Sequence, residues 1–352
     1  MISYDQLTSL INLRHLRHMT DDTGILQHAR FHIPQRKHGY CTDDNARALI
    51  VSILAQDFYS SMDFSDLSVK YLSFLEHAFD KNTGRFRNFM EFDRRWIEET
   101  GSEDSHGRAV WALGMTASCS SSPGIRNLAS NLFREAIPVL LDFTFPRSWA
   151  FGINGVYHYL KRAEDDSFAE HILKELSERL LLLYLNNASE NWFWVDDCLT
   201  YSNAKIPQAL ILSGNLLHRP EMIKLGLQSL EWLMQMQTSE KGHFIPIGNK
   251  GWCSRGEKQR ACFDQQPVEA QAMTDACLTA FEITHDLVWM KKGVCSLEWF
   301  LGVNDLGKPL IDTITGGCRD GLQADGLNQN QGAESTLSWL ISLFRMLSLL
   351  KQ

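Results

Sequence analysis

The chain has 352 residues, 44% of them hydrophobic and 22% charged, with a formal net charge of -8. That much apolar material supplies a large core and excludes an intrinsically disordered chain. The acidic balance and the lack of a basic run argue against nucleic acid and anionic membrane surfaces as partners, since both need clustered Lys and Arg to displace counterions.

Helical periodicity dominates from the N-terminus onward. Tyr4 to Met19 carries a weak apolar stripe, and a polar loop then leads to Asp43–Leu54, which is apolar on most sides. Leu67 to Phe79 is amphipathic, and Glu103–Met115 is again apolar nearly all round. Ile125, Leu128, Ala129, Leu132, Phe133, Ala136, Ile137 and Leu140 form the clearest stripe of a half-exposed helix, with Pro138 expected to kink its last turns. Ser148–Leu160 is of the buried type; Ala169, Ile172, Leu173, Leu176 and Leu180 mark the next amphipathic helix. The alternation continues with Asn203–Gly214, with Ile223, Gly226, Leu227, Leu230 and Leu233, and with Asp264–Phe281, Ile283–Leu301 and Gln331–Leu349.

A helix apolar on all sides is buried, whereas a striped one faces solvent. Six of each alternate here, with starts of the buried type at intervals of roughly 45 to 67 residues, the range of helical-hairpin repeats. The expected fold is all-α: a single (α/α)6 toroid domain over residues 1–352, with an inner and an outer ring. An open solenoid is the alternative. The long polar connections around 20–42, 80–102, 187–202, 238–263 and 302–330 all lead from an outer helix into an inner one, which argues for closure. In a toroid they would gather on one face above six inner-helix N-termini, the expected site. No composition shift marks a domain boundary.

Each inner-helix start carries its own polar set. The first has His38, Tyr40, Asp43, Asp44, Asn45 and Arg47; the second has Glu103, Asp104, His106 and Arg108. Arg147-Ser148-Trp149, at the third, lacks an acid. The fourth brings Trp192, Trp194, Asp196, Asp197, Tyr201 and Asn203, and the fifth Trp252, Arg255, Asp264, Gln265, Gln266 and Glu269. Arg319, Asp320, Asn330, Gln331 and Glu334 belong to the sixth. Single acids at helix starts cap backbone N–H groups and complement the dipole. Doubled acids with neighbouring Arg, His, Gln and Trp exceed what capping needs.

Glycosidic bond cleavage requires two carboxyl groups, one to protonate the leaving oxygen and one to attack or to activate water. Asp43 and Asp44 are the first candidates, with Asp104, Asp197, Asp264 and Glu269 as partners. Mutual repulsion of Asp43 and Asp44 would raise one pKa, or the pair would divide into one site residue and one cap. Tyr40, Trp192, Trp194 and Trp252 are expected as sugar platforms, because an apolar sugar face stacks on an aromatic ring. His38, Arg47, Glu103, His106, Arg108, Tyr201, Gln265, Gln266, Arg319, Asp320, Gln331 and Glu334 complete the expected binding set.

Other chemistries lack their motifs. There is no HExxH, Gly-rich phosphate loop or GxSxG. His15 and His18, or His28 and His32, lack a third ligand, and Asp43-Asp44 lacks the spaced third acid that would hold magnesium. No metal or cofactor is expected. The eight Cys show no CxxC pair and fit reduced thiols in a cytoplasm; no apolar run is long enough to span a bilayer, and no membrane insertion is expected.

The strings Thr20-Asp21-Asp22-Thr23-Gly24-Ile25, His38 to Leu49, Gly101 to Ala109, Phe263 to Ala270, Gly316 to Leu322 and Asn330 to Thr336 resemble those of bacterial six-hairpin glycosidase-like proteins that occur beside, or fused to, glycosyltransferases. The chain departs from that pattern at Ser202 and Gln329, where the family carries Asp and Glu. Asp43-Asp44 also looks like the adjacent catalytic aspartates of bacterial endo-α-1,6-mannanases. The resemblance implies a glycan-active protein with a glycosyltransferase as possible partner. The expected function is therefore a cytoplasmic glycoside hydrolase acting on an oligosaccharide or polysaccharide. Its rivals are a sugar epimerase or isomerase, which would want paired His from His106, His38 and His243, and a non-catalytic glycan-binding partner of a glycosyltransferase.

Overall fold

The computed structural model describes residues 2–59, 62–257 and 260–351, with the backbone alone for 62–64. Its helices are α1 (Tyr4–Thr8), α2 (Arg14–Met19), α3 (Thr42–Ala55), α4 (Met62–Ala78), α5 (Glu103–Cys119), α6 (Pro123–Ala136), α7 (Pro146–Leu160), α8 (Ser167–Asn187), α9 (Lys205–Leu216), α10 (Pro220–Met236), α11 (Pro267–Thr284), α12 (Leu287–Glu298) and α13 (Ala333–Leu350). No described helix is long and apolar enough to cross a membrane. The chain divides into two compact units. An N-proximal unit holds Leu16–Ala29 and Ile33–Glu178, and a C-proximal unit takes residues up to His15, Arg30–His32 and everything from Arg179 onward.

In the N-proximal unit α5 packs between α3 and α7, with α4 against α3 and α6 against α5. Every residue of α3 except Asp43 is buried, as its apolar sequence requires. By contrast α6 buries only Ile125, Ala129, Leu132, Phe133 and Ala136, and the expected break at Pro138 is a 3-10 turn over Ile137–Asp142. In the C-proximal unit α11 packs between α9 and α13, backed by α10 on α9 and α12 on α11. Each unit thus repeats one arrangement, three buried helices side by side with amphipathic helices behind them.

The contact of α5 with α7 is close because glycines face each other. A Cβ on Gly114 would lie 2.0 Å from the Gly155 carbonyl oxygen, and one on Gly155 would lie 2.4 Å from that of Val110. Backbone cannot yield as a side-chain tip can. Gly114→Ala should therefore lower unfolding free energy by about 2–3 kcal/mol, although Ala is the better helix former by roughly 1 kcal/mol. Urea denaturation measures it, and a stabilised variant would show that the two helices do not touch there.

Boundaries differ from the sequence expectation where loop contacts intervene. The stretch Tyr4 to Met19 is two helices: the Asn12 amide donates to the Thr313 carbonyl, and its Oδ1 accepts from Arg14 N–H and restarts the helix. Asn203, Asp264 and Gln331 precede α9, α11 and α13 instead of opening them. Gln265 is the reason at α11, exchanging backbone hydrogen bonds with Leu322 in both directions before Pro267 sets the first turn. Leu322 lies in the hairpin Gly321–Gln323 with Gly326–Asn328, one of five two-stranded sheets that the polar loops form among the described residues.

Candidate active site

At the start of α3 the two aspartates have separate duties. Asp44 is buried, 3.2 Å from the Arg47 guanidinium, and accepts from the Cys41 thiol at 3.1 Å. The Cys41 sulfur in turn accepts the Asp44 N–H and caps the helix. Asp43 keeps 23% of its side chain exposed, and Arg108 Nη1 donates to both its oxygens at 3.0 Å. Burial pushes the Asp43 carboxyl up, but Arg108 and then Arg47 overcome this and hold it below the ordinary carboxylate value. Mutual repulsion therefore does not raise Asp43, and neither aspartate is the helix cap, since Cys41 fills that position and Asp44 pairs with Arg47.

Arg108 is itself held in place. Its guanidinium lies 4.3 Å from the centre of the Phe151 ring and 3.9 Å from Asp104. One cation thus links the first residues of α3 and α5, and the two acids it meets, Asp43 and Asp104, are both half-exposed. Asp21 joins from the preceding loop by accepting the Tyr40 hydroxyl at 2.6 Å, which couples Thr20–Ile25 to the α3 start.

The C-proximal unit builds a different acidic group around the starts of α11 and α13. Asp320 accepts the Gly332 N–H at 2.7 Å, and a Cβ on Gly332 would meet that same oxygen at 2.9 Å. Burial pushes the Asp320 carboxyl up to about 6, against the Gly332 N–H and the Ser335 hydroxyl, and the charges of Glu334 and Asp264 add to the rise. Asp264 receives the Gln323 amide on Oδ2 at 3.2 Å, while its buried Oδ1 takes no hydrogen bond from any described residue. Glu269, inside the first turn of α11, is saturated by Asn203 N–H, the Asn203 amide and the Gln237 amide.

Several expected site residues serve the fold instead. His106 is fully buried between Phe86 and Phe143, hydrogen bonded to the Ala136 carbonyl, and burial lowers its pKa to about 3. Glu103 holds the entry to α7, accepting from Thr144 and Phe145 N–H and the Ser148 hydroxyl. Tyr40, Trp192 and Trp194 are buried, so they offer no open face to a sugar. Tyr40 packs on Phe74 and Phe92, and both tryptophans pack on Trp232. Buried Gln265 is tied to Asp305, Trp299 and Cys262, and Gln331 to Asp312, Thr315 and His15. Arg319 clasps the carbonyls of Leu310 and Ile311.

Asp197 is 83% exposed and meets Arg255 at 3.4 Å. His38 is exposed and packs edge-on to His28. Gln266 occupies the N-cap position of α11 without a side-chain cap bond. Tyr201 and Trp252 remain half-exposed, their tilted rings 6.4 Å apart between centres. Sequence reasoning missed Gln237 and Gln323, which hold Glu269 and Asp264 from distant loops and carry no local signal. Among the described residues no group of three or more His, Cys, Asp or Glu could hold a metal ion.

No protein-family profile matches the chain, and no curated protein sequence does. Solved structures do. A D-mannose isomerase superposes with a TM-score of 0.74 at 9% identity, over 98% of this chain and 97% of that one. The cellobiose 2-epimerase of Bacillus thermoamylovorans gives 0.73 at 11% identity, over 99% and 98%. An α-1,6-mannanase of Salegentibacter gives 0.65 at 10% identity, over 99% and 100%; it is an inactive variant with two consecutive aspartates changed to alanine, in complex with α-1,6-mannotetrose. The chain has the (α/α)6 toroid fold. Sugar epimerases, isomerases and GH76 mannanases share this six-hairpin fold at low identity. Fold alone does not choose among their activities.

Proposed function

We propose that the chain is a glycoside hydrolase acting on an oligosaccharide or polysaccharide, with Asp320 as the general acid. The observation that carries this reading is the pair of unlike carboxyls at α11 and α13. Asp320 keeps its proton to about pH 6, and its neighbour Asp264 has a buried oxygen that no donor among the described residues satisfies. Hydrolysis needs such a division, one group to protonate the leaving oxygen and another to attack or to activate water. A buried acceptor without a donor is costly unless substrate or water completes it.

Asp43 is assigned to substrate recognition, as a carboxylate that Arg108 keeps ionised for sugar hydroxyls. The mannanase whose consecutive aspartates were replaced supports a functional role for this pair. Asp43→Asn is expected to lower kcat/KM about 10- to 100-fold while costing about 1 kcal/mol in stability, because Arg108 keeps Asp104 and Phe151. Steady-state rates and urea melts on the same preparation separate the two effects. The stability that Asp43 adds is present above pH 3.8 and is lost as pH falls through its lower folded value.

An epimerase reading requires groups that move a proton at a sugar carbon. His106, one of the three histidines that reading would use, is fully buried and hydrogen bonded to the Ala136 carbonyl, which removes it from such a role. The test is release of new reducing ends from a panel of mannan and glucan oligosaccharides, run in parallel in deuterated water. Deuterium appearing at a sugar carbon without new reducing ends would replace this reading with the epimerase. The family resemblance supports a glycan made by a partner glycosyltransferase as the natural substrate.

A further inference from the structure

Phe31 is exposed in a conformation that a phenylalanine rarely adopts. Its φ is +54° and 54% of its surface is open to solvent. A bulky side chain in the left-handed region costs free energy and persists only where the surroundings impose it. Here they do, from both sides: the Phe31 N–H donates to Asn330 Oδ1 at 3.0 Å, and its carbonyl accepts the Gln331 N–H at 2.8 Å.

The same short segment holds the general acid. Asp320 N–H donates to the Asn330 carbonyl at 2.8 Å, and Asp320 Oδ1 accepts from Gly332. The Phe31 backbone is therefore fixed to the two residues that precede Gly332, one of which also receives the Asp320 N–H, and its exposed ring has no aromatic partner among the described residues. Phe92, also exposed, is different: its ring stacks on Tyr40.

We propose that Phe31 is a stacking platform for the apolar face of a pyranose bound at Asp320, a substrate-positioning residue of this site. The assignment rests on the hydrolase reading and names the feature of the substrate that the site grips: a ring face with axial C–H groups, independent of the linkage being cut. A stacked ring positions sugar without reacting with it. Its loss raises KM and leaves kcat near the parent value.

Binding is measured by calorimetry in the Asp320→Asn background, where turnover is blocked, against a panel of mannan, glucan, galactan and N-acetylhexosamine tetrasaccharides. Phe31→Ala should weaken the best ligand about tenfold, and Phe31→Trp should restore it. Phe31→Gly separates the platform from a structural role: glycine accepts φ of +54° without strain, so this variant should melt no lower than its parent yet bind as weakly as Phe31→Ala. Equal affinity in parent, Phe31→Ala and Phe31→Gly overturns the platform and leaves the hydrolase reading standing. A parent that binds no glycan of the panel overturns the glycan reading, and the platform with it.

Discussion

Asp320→Asn is expected to abolish most turnover and at the same time to make the protein more stable at neutral pH. As general acid, Asp320 contributes on the order of 100- to 10,000-fold in rate, all of which asparagine forfeits because it has no proton to give. The stability effect has the opposite sign. In the unfolded chain the carboxyl titrates at 3.8, in the folded protein at about 6, so between these values the folded state binds more protons. Stability then falls as pH rises through that window, by roughly 2–3 kcal/mol once both states are ionised. Asparagine carries no charge to bury, and its carbonyl can still accept the Gly332 N–H. At pH 7.5 the variant should melt several degrees higher, and at pH 3.5 the difference should vanish. The wild type should in turn lose kcat/KM as pH rises past about 6. A variant that is inactive but no more stable at pH 7.5 would show that Asp320 is ionised at low cost and is not the acid.

Asp275→Asn is expected to be the most destabilising single change among the charged residues, at about 3–5 kcal/mol. Asp275 lies inside α11, fully surrounded, with Lys205 Nζ at 2.5 Å and Arg345 Nε at 2.7 Å. Gln208 donates to the same carboxylate, and its amide also reaches Thr279. Burial pushes the Asp275 carboxyl up, but Lys205 and Arg345 outweigh it and hold it far below the ordinary range. Its contribution is therefore complete above pH 3.8 and is lost only as pH falls through the much lower folded value. Asparagine preserves shape but leaves the Lys205 ammonium buried, 1% exposed, without its counter-charge. Arg345 suffers less, since both oxygens of Glu282 also hold it. The double variant Lys205→Met with Asp275→Leu should accordingly lose less stability than Asp275→Asn alone, because it removes both buried charges together. Guanidinium melts of the three proteins decide this, and a cost below about 1 kcal/mol for Asp275→Asn would mean that water reaches the pair.

Much of the candidate site was legible in the sequence at the level of which residues gather at helix starts, and much less at the level of what each does. Asp43 and Asp44 look equivalent in sequence, yet Arg108 from α5 takes one and Arg47 and Cys41 take the other. Glu103 reads as a catalytic candidate until Thr144, Phe145 and Ser148 are seen to consume its oxygens. Trp192 and Trp194 sit in a polar loop, where composition suggests open rings, but the loop folds back and packs them on Trp232. Phe31 carries no motif at all, and only its backbone bonds to Asn330 and Gln331 set it apart.

What the sequence determined by itself is the alternation of buried and striped helices, and through it the all-α hairpin architecture. Hydrophobic periodicity is a local property: each turn of α3 or α6 records which side meets water, without reference to residues far along the chain. Tertiary structure alone decided the roles of the polar residues. A carboxylate becomes a cap, an ion-pair member or an acid according to the donors and the burial it meets, and those come from loops and helices up to 72 residues away. For Asp320 the deciding groups are the Gly332 N–H, the nearby acids and the loss of solvent, and these exist only in the folded chain.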